Sequence, residues 1–218
     1  MSGGAEELRQ APLPPDLERL LHDLRGPLNA AVMHVEVLKR LVDDPTARTS
    51  LHSVQSELER LTAMLPLAFG VSAIELGPVR PVLLRAVVQS AVDEAQRKPV
   101  PVEPGPWPEV DGDERLLVRA MRHLLDNAFD ATPDGRDVRV RVEVGAGDTV
   151  TVVVEDGGAG FKTRNPNAVI KLMASTKTGH LGVGLLVVQR IARLHGGAIT
   201  FETRPEGGVA RLTLRARR

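Results

Sequence analysis

A histidine, an acidic residue and a proline stand close together in the segment from Leu21 to Leu28, within an otherwise helical pattern. Pro27 cannot donate a backbone hydrogen bond to the carbonyl of Asp23, and its ring crowds that carbonyl, so the helix should kink just beyond His22. Such a proline normally costs stability, which indicates that the segment is kept for its chemistry. An exposed imidazole beside a carboxylate is suited to act as a nucleophile.

Three further segments suit the binding of a phosphorylated ligand. The stretch from His123 to Ala128 carries an asparagine inside a helical pattern. The stretch from Asp156 to Gly160 is rich in glycine and follows a strand pattern, and glycines between Ser175 and Leu185 open another helix. With the first segment, and in this order, they resemble the H, N, D and glycine boxes of bacterial two-component histidine kinases, whose ATP-binding domain is shared with gyrases and Hsp90-type chaperones.

The resemblance implies roles for the first two boxes. His22 would take the γ-phosphoryl group of ATP, and Asp23 would orient or deprotonate its ring. The amide of Asn127 would ligate a Mg²⁺ ion that bridges the phosphates. His123 lies one helical turn earlier on the same face and would contact a phosphate. The alternatives are a capping or surface asparagine and a histidine that only packs.

The glycine-rich segments are expected to hold the rest of the nucleotide. Asp156 matches the family's aspartate that accepts from the adenine amino group, and glycines allow the backbone to approach the ligand closely. The amides at the opening of the last helix can hold phosphate oxygens. A simple turn and a solvated lid are the alternatives for these two segments. The residues expected to contact ATP here are Asp156, Gly158, Gly160, Thr176, Lys177, Gly182 and Gly184.

The sequence also departs from the family pattern. Gly26 stands where the family usually has the Thr or Asn that positions water to dephosphorylate a partner regulator, which predicts weak phosphatase activity. The segment from Val169 to Met173 replaces the usual phenylalanine-containing lid box, which predicts a short lid and modest nucleotide affinity. Gly179 and His180 depart from the usual glycine spacing.

Two long helices must position His22. Apolar residues at alternating spacings of four and three run from Leu17 to Val42 and again from Leu51 to Ala68, with a turn at Asp43 to Pro45 between them. An antiparallel hairpin of this kind cannot bury both its faces, so pairing with a second copy into a dimeric four-helix bundle is expected. In this register His22 lies beside the apolar seam, with its ring in solvent.

The remainder of the chain predicts an α/β sandwich, a mixed sheet under three helices, so that the whole chain is of the α+β class. The family resemblance implies that this sandwich is of the GHKL ATPase type. The helices are expected at Val82 to Arg97, Glu114 to Ala131 and Leu185 to His195. The strands are expected at Val138 to Val144, Val150 to Glu155, Ala198 to Thr203 and Val209 to Leu214. The predicted organisation is a tail (1–15), a dimerisation and phosphotransfer hairpin (16–70), a linker (71–80) and an ATP-binding domain (81–218).

Composition narrows the class of protein. The 218 residues include no cysteine, which excludes a disulfide scaffold, and 28 basic residues balance 28 acidic ones, which gives no electrostatic footprint for nucleic acid. The sequence contains no run of about 18 apolar residues of the kind that inserts into a membrane, and its first residues lack the apolar core of a signal peptide. A cytoplasmic location is expected, with the signal arriving from a separate upstream sensor protein.

The sequence therefore predicts a receptorless cytoplasmic histidine protein kinase that uses Mg²⁺ and ATP, forms a homodimer and passes its phosphoryl group to the receiver domain of a response regulator. A non-catalytic histidine phosphotransfer hub with a degenerate ATP domain is the first alternative. A serine kinase of the anti-sigma type, or a pure binding protein of the same ATPase superfamily, is the second. The H box disfavours the second alternative, because that class has no reason to keep His22, Asp23 and Pro27 in one helix.

Overall fold

The computed structural model describes residues 15–95, 97, 99–132, 138–161 and 183–217. The chain divides into two compact units, Met1–Ala73 and Ile74–Arg218, so the division falls inside the predicted linker. None of the helices in the described ranges is both long enough and apolar enough to cross a membrane.

The first unit is a helical hairpin. Helix α1 (Pro15–Leu41) is continuous through Pro27, so the proline does not end the helix, and the expected kink stays a prediction. Helix α2 (Pro45–Ser72) begins where the carboxylate of Asp44 accepts a hydrogen bond from the N–H of Ala47 at 2.7 Å. Proline suits the first helical position because its missing N–H would have no helical partner there. Helix α2 extends to Ser72, so the first two residues of the predicted linker are helical.

Of the predicted seam positions, Leu21 and Val35 are buried in the hairpin, whereas Leu38, Val54 and Leu61 are exposed. Large apolar side chains thus stay exposed on both helices, at seam positions and beside them. The exposed fraction of these side chains ranges from 46 to 73%, and they are Met33, Val37, Leu38, Leu41, Val54 and Leu61. The hairpin alone therefore leaves much of its apolar surface in water, as expected for half of a larger bundle.

In its described residues, the second unit combines two antiparallel sheets with three helices. Strands β1 (Arg80–Leu83) and β2 (Glu109–Gly112) form a two-stranded sheet. The larger sheet has the order β3-β4-β6-β5. Its strands are β3 (Arg139–Gly145), β4 (Thr149–Glu155), β5 (Ala198–Arg204) and β6 (Gly207–Arg215). The helices are α3 (Leu84–Ala95), α4 (Glu114–Ala131) and α5 (Gly184–Leu194).

Most predicted elements are confirmed, with three corrections. Val82 and Leu83 belong to strand β1 instead of the first helix, because Val82 is buried in a pairing with Val110 of β2. Strand β2 was not predicted. The expected mixed sheet has only antiparallel ladders between its described strands, and its parallel component is a single bridge between Val102 and Val140.

The two faces of the larger sheet differ in chemistry. Val150, Val152 and Val154 of β4 are buried on one face, and alternation places the neighbouring residues on the other. That second face carries a network of ion pairs in which Arg141 bonds Glu155 and Arg211 bonds Glu143. The apolar core of the second unit therefore lies between this first face and the helices. One of these helices, α4, carries the N box.

Candidate functional site

Helix α4 carries the N-box residues and is fixed at its start by Asp113. The Asp113 carboxylate accepts from the N–H of Arg115 at 3.1 Å and from that of Leu116 at 3.4 Å. These bonds satisfy amide groups that have no partner within the helix. His123 and Asn127, four residues apart, lie on one face of α4.

His123 of α4 is half-buried beside the start of α5. Its Nε2 atom is shielded from solvent and has no hydrogen-bond partner among the residues that the structure describes. Its Nδ1 atom would lie 3.4 Å from a β-carbon built on Gly184, so the imidazole packs against the first residue of α5. Burial, aided by the positive charges of Arg119 and Arg122, lowers the pKa of His123 to about 4. The ring is therefore neutral near pH 7 and offers one N–H donor.

Asn127 is half-buried, and no hydrogen bond joins its side chain to another residue of the described part of the chain. A buried amide without partners would be costly, whereas a half-buried amide can turn its oxygen toward a ligand. Within the described residues no group of three or more His, Asp or Glu side chains could hold a metal ion alone. A single amide oxygen fits Mg²⁺ that is held mainly by phosphate and water oxygens, because Mg²⁺ commonly keeps several waters.

Asp156 follows strand β4 and begins the D box. Its Oδ1 accepts from the N–H of Gly158 at 2.9 Å and from the N–H of Gly208 at 3.1 Å. A β-carbon on Gly158 would lie 2.5 Å from the carbonyl oxygen of Ala131, the last residue of α4. The missing side chain thus lets the D-box loop approach the helix that carries Asn127.

Gly160 is the last residue of the D box and precedes Phe161, where this described range ends. It has a φ of +66°, which favours glycine, and a β-carbon there would lie 2.5 Å from the Cγ2 atom of Thr203. The hydroxyl of Thr203 accepts from the N–H of Phe161 at 3.1 Å. The glycine therefore permits a tight turn held against strand β5.

Helix α5 begins at Gly184, and Val183, which precedes it, provides no side-chain cap. The first amides of a helix and the positive end of the helix dipole suit a phosphate group. Gly184 thus lies at a helix start and beside the imidazole of His123. The other residues predicted here, Thr176, Lys177, Gly182, the lid segment from Val169 to Met173, Gly179 and His180, lie outside the described residues.

His22 belongs to the other unit and lies on the surface of α1. Its side chain is 88% exposed, in agreement with the position expected beside the seam. The Nδ1 atom lies 3.5 Å from Oδ1 of Asp23, whose side chain is 63% exposed. A contact of this length in water contributes little stability, but it directs Nδ1 to the carboxylate and leaves Nε2 toward solvent.

A cavity of about 440 Å³ adjoins Asp156, but it does not include Asn127, His123 or Gly184. Its lining includes Arg139, Glu155 and Val209, which are paired across the sheet and share the face opposite the helices. We therefore assign the candidate nucleotide site to the helix side of Asp156.

The sequence interpretation missed three residues that support the site. An acidic residue just before a helical pattern is a signal for an N-cap, so Asp113 could have been found. His195 accepts a hydrogen bond from the N–H of Asp113 at 3.0 Å, a contact across 82 residues that no local pattern reveals. Gly208 contacts Asp156 from a strand that follows much later in the chain.

Comparison with known proteins agrees with this geometry. Residues 112–218 match the family described as histidine kinase-, DNA gyrase B-, and HSP90-like ATPase. Sensor protein QseC of Escherichia coli O157:H7 is 31% identical over 208 residues, which cover 86% of this chain and 44% of QseC. Sensor-like histidine kinase SenX3 of Mycolicibacterium smegmatis is 28% identical over 204 residues, which cover 86% of this chain and 53% of SenX3. The chain spans about half the length of these curated relatives.

Solved structures agree on the fold. The mycobacterial sensor histidine kinase MprB matches with a TM-score of 0.56 and 26% identity, over 64% of this chain and 98% of that one. Full-length ShkA in complex with AMPPNP matches with a TM-score of 0.59 and 21% identity, over 94% of this chain and 47% of that one. From its boxes, its fold and these relatives, the chain belongs to the bacterial two-component histidine kinases and carries a catalytic domain of the GHKL type.

Proposed function

We propose that this protein phosphorylates its own His22 from Mg²⁺-ATP and passes the phosphoryl group to an aspartate of a response-regulator receiver domain. The observation that carries the proposal is the contact of His123 with Gly184 at the start of α5, on the face of α4 that also carries Asn127. A neutral donor meets a helix start there, one helical turn from an amide oxygen, and these are groups that a triphosphate needs.

The residues of the second unit bind and orient the nucleotide. Asp156 accepts from the amino group of adenine, while the N–H groups of Gly158 and Gly208 hold its Oδ1 atom. His123 donates its single N–H to a phosphate oxygen, and the backbone N–H groups at Gly184 donate to other phosphate oxygens, whose negative charge the helix dipole favours. Asn127 holds the Mg²⁺ ion, which supplies charge neutralisation of the phosphates when bound. Thr176, Lys177 and Gly182 complete this proposed site.

His22 performs the nucleophilic step. When Nδ1 carries the proton and faces Asp23, the lone pair lies on Nε2. Nε2 attacks the γ-phosphorus, so that a nitrogen–phosphorus bond forms and the bond from that phosphorus to the oxygen of ADP breaks. The Nδ1 proton of the resulting imidazolium then passes to the Asp23 carboxylate and from there to solvent, which leaves a neutral phosphohistidine. Exposure of the ring on α1 supports this role, because both ATP and an acceptor protein must reach it.

The phosphohistidine then serves as a donor for the partner. Nδ1 takes up a proton from solvent through Asp23, a carboxylate oxygen of the receiver aspartate attacks the phosphorus, and the nitrogen–phosphorus bond breaks, so that the histidine leaves as a neutral imidazole. We further propose that the hairpin forms a homodimer and that the reaction takes place in the cytoplasm, where ATP is available. A separate sensor protein as the source of the signal stays a prediction.

A phosphotransfer hub that receives its phosphate from a receiver domain is the second candidate. The observation that favours it is the atypical lid sequence from Val169 to Met173, which lacks an aromatic anchor. The two candidates differ in one property, because only the kinase takes phosphate directly from ATP.

The experiment is incubation of the purified chain with γ-labelled ATP and Mg²⁺. The kinase gains label that is lost in acid and stable in base, as expected for a phosphohistidine. The Asp156→Asn variant should gain little label, and the wild type should bind ATP in calorimetry only modestly. A wild type that takes label from a phosphorylated receiver domain but none from ATP would support the hub.

A further inference from the structure

We propose that Gly208 is a positioning residue for adenine recognition, because its N–H and its missing side chain together set the orientation of the Asp156 carboxylate. The proposal rests on the proposed ATP-binding function and deepens it. Gly208 lies near the start of strand β6 and is distant in sequence from all four boxes.

The contact between Gly208 and Asp156 extends the hydrogen-bond ladder between β4 and β6 by one altered pair. The ladder between β4 and β6 ends with the pair Glu155 and Val209, so the next pair in register is Asp156 with Gly208. The N–H of Asp156 donates to the carbonyl of Gly208 at 2.9 Å, as in a regular antiparallel pair. The return bond differs, since the N–H of Gly208 donates to Oδ1 of the Asp156 side chain at 3.1 Å. The carboxylate thus replaces a backbone carbonyl where the chain leaves the sheet.

The carboxylate is held on two sides. Oδ1 accepts from the N–H groups of Gly158 and Gly208, and hydrogen bonds to a charged acceptor are stronger than those to a neutral one. A β-carbon on Gly208 would lie 2.5 Å from Oδ2 and 3.3 Å from Cγ of Asp156. Any side chain at this position must therefore displace the carboxylate.

The neighbouring Gly207 provides a contrast. Its φ is +150°, and a β-carbon there would lie 1.8 Å from the backbone oxygen of Asp156. Substitution of Gly207 must move backbone, whereas the nearest atoms to a β-carbon on Gly208 belong to side chains, those of Asp156 and Cε2 of Phe161 at 3.3 Å. Gly208→Ala therefore acts mainly on the carboxylate, which is the nearer group, and Gly207→Ala is a probe of the fold.

The test measures binding of two nucleotides to the full chain by calorimetry in the presence of Mg²⁺. One is ATP, and the other is purine riboside triphosphate, which lacks the 6-amino group that Asp156 would contact. The proteins are the wild type, Gly208→Ala, Asp156→Asn and the double variant. Gly105→Ala is the matched control, because its β-carbon would approach only Cγ1 of Val142, at 3.1 Å.

Gly208→Ala should weaken ATP binding about tenfold and leave the affinity for purine riboside triphosphate within about twofold of the wild type. The double variant should bind ATP no more weakly than Asp156→Asn alone, because both changes act on one interaction. The unfolding midpoint reported by Trp107 fluorescence should stay close to that of the wild type, and Gly207→Ala should lower it.

Four outcomes would overturn the proposal. These are unchanged ATP affinity in Gly208→Ala, equal loss of both nucleotides, additive losses in the double variant, and failure of Gly208→Ala to fold. A wild type that binds neither nucleotide would instead remove the proposed function on which the inference rests.

Discussion

Nε2 of His195 accepts a hydrogen bond from the backbone N–H of Asp113 at 3.0 Å, while Nδ1 of the same ring lies 2.8 Å from the carbonyl oxygen of Ile191. A neutral ring with its proton on Nδ1 satisfies both contacts. The contact ties the end of α5 to the start of α4, the two helices that carry Gly184 and Asn127. The geometry of the nucleotide site therefore depends on residues at the far ends of both helices.

Asp113→Ala should destabilise the second unit by about 2 to 4 kcal/mol, since it removes a helix cap and leaves buried N–H groups unsatisfied. The lost bonds include that from the N–H of Gly77 at 2.9 Å. Urea unfolding followed by Trp107 fluorescence measures the change. Asp44→Ala is the matched control, because it removes an exposed cap in the hairpin and should leave this transition in place. Equal urea midpoints of the Trp107 transition in Asp113→Ala and Asp44→Ala would contradict the role given to Asp113.

The low pKa of His123 predicts a pH-dependent stability of the second unit. The unfolded chain binds a proton near pH 6.5 and the folded one near pH 4, so the unfolding free energy should fall as pH falls from about 6.5 to 4, by on the order of 2 to 3 kcal/mol. His123→Asn should abolish this slope, and His34→Asn, at an exposed position of α1, should preserve it. Urea unfolding midpoints of the wild type and both variants, measured between pH 4 and 7.5, test this prediction. A slope retained in His123→Asn would show that another group titrates.

The carboxyl of Asp113 also makes stability depend on pH, but in a lower pH range than His123 does. Burial raises the pKa of its carboxyl, but hydrogen bonds from the N–H groups of Gly77 and Leu116 and the contact with Arg115 outweigh burial and hold the pKa below its ordinary value. Its contribution to stability is present above about pH 4 and is lost as pH falls further. The window assigned to His123 is thus distinct from that of Asp113.

Gly26→Ala should stabilise the hairpin by about 0.5 to 1 kcal/mol, because glycine is unfavourable inside a helix and a β-carbon there would meet no atom within 4 Å. Thermal unfolding of the helices followed by circular dichroism measures the gain. Gly197→Ala should instead destabilise the protein, because its β-carbon would lie 2.2 Å from the carbonyl oxygen of Thr213. Destabilisation by Gly26→Ala would show that a second helix or copy approaches this position.

The exposed apolar side chains of the hairpin predict a dimer. Val37→Glu places a charge among them and should shift the mass measured by light scattering from two chains to one at micromolar concentration, while the helical signal persists. Ser56→Glu, at an exposed position of α2, should remain dimeric. A monomeric wild type would contradict the prediction outright.

The sequence predicted the long helices well because their apolar periodicity is local and strong, and α4 has the predicted bounds from Glu114 to Ala131. Strand β2 was missed because four residues, only two of them buried, carry almost no periodic signal. Val82 reads as helical in isolation, and only its pairing with Val110 makes it a strand. Tertiary pairing overrides local propensity in such short segments.

The candidate site was predicted in the same uneven way. Asn127, Asp156 and Gly184 belong to compact motifs whose residue types report their chemistry. The neutral state of His123 follows from burial against α5, which the sequence of α4 does not contain. The bond from Gly208 to Asp156 joins residues 52 positions apart and depends on the register of β4 and β6.

Phosphorylation of His22 is the central claim, and site-specific variants test it most directly. His22→Gln should stay folded, because the side chain is 88% exposed, and should gain no acid-labile label from γ-labelled ATP. His34→Gln and His52→Gln, which change exposed histidines of the same hairpin, should gain label like the wild type. Acid-labile label that persists in His22→Gln, or that disappears in His34→Gln or His52→Gln instead, would contradict the assignment of His22 as the phosphoacceptor.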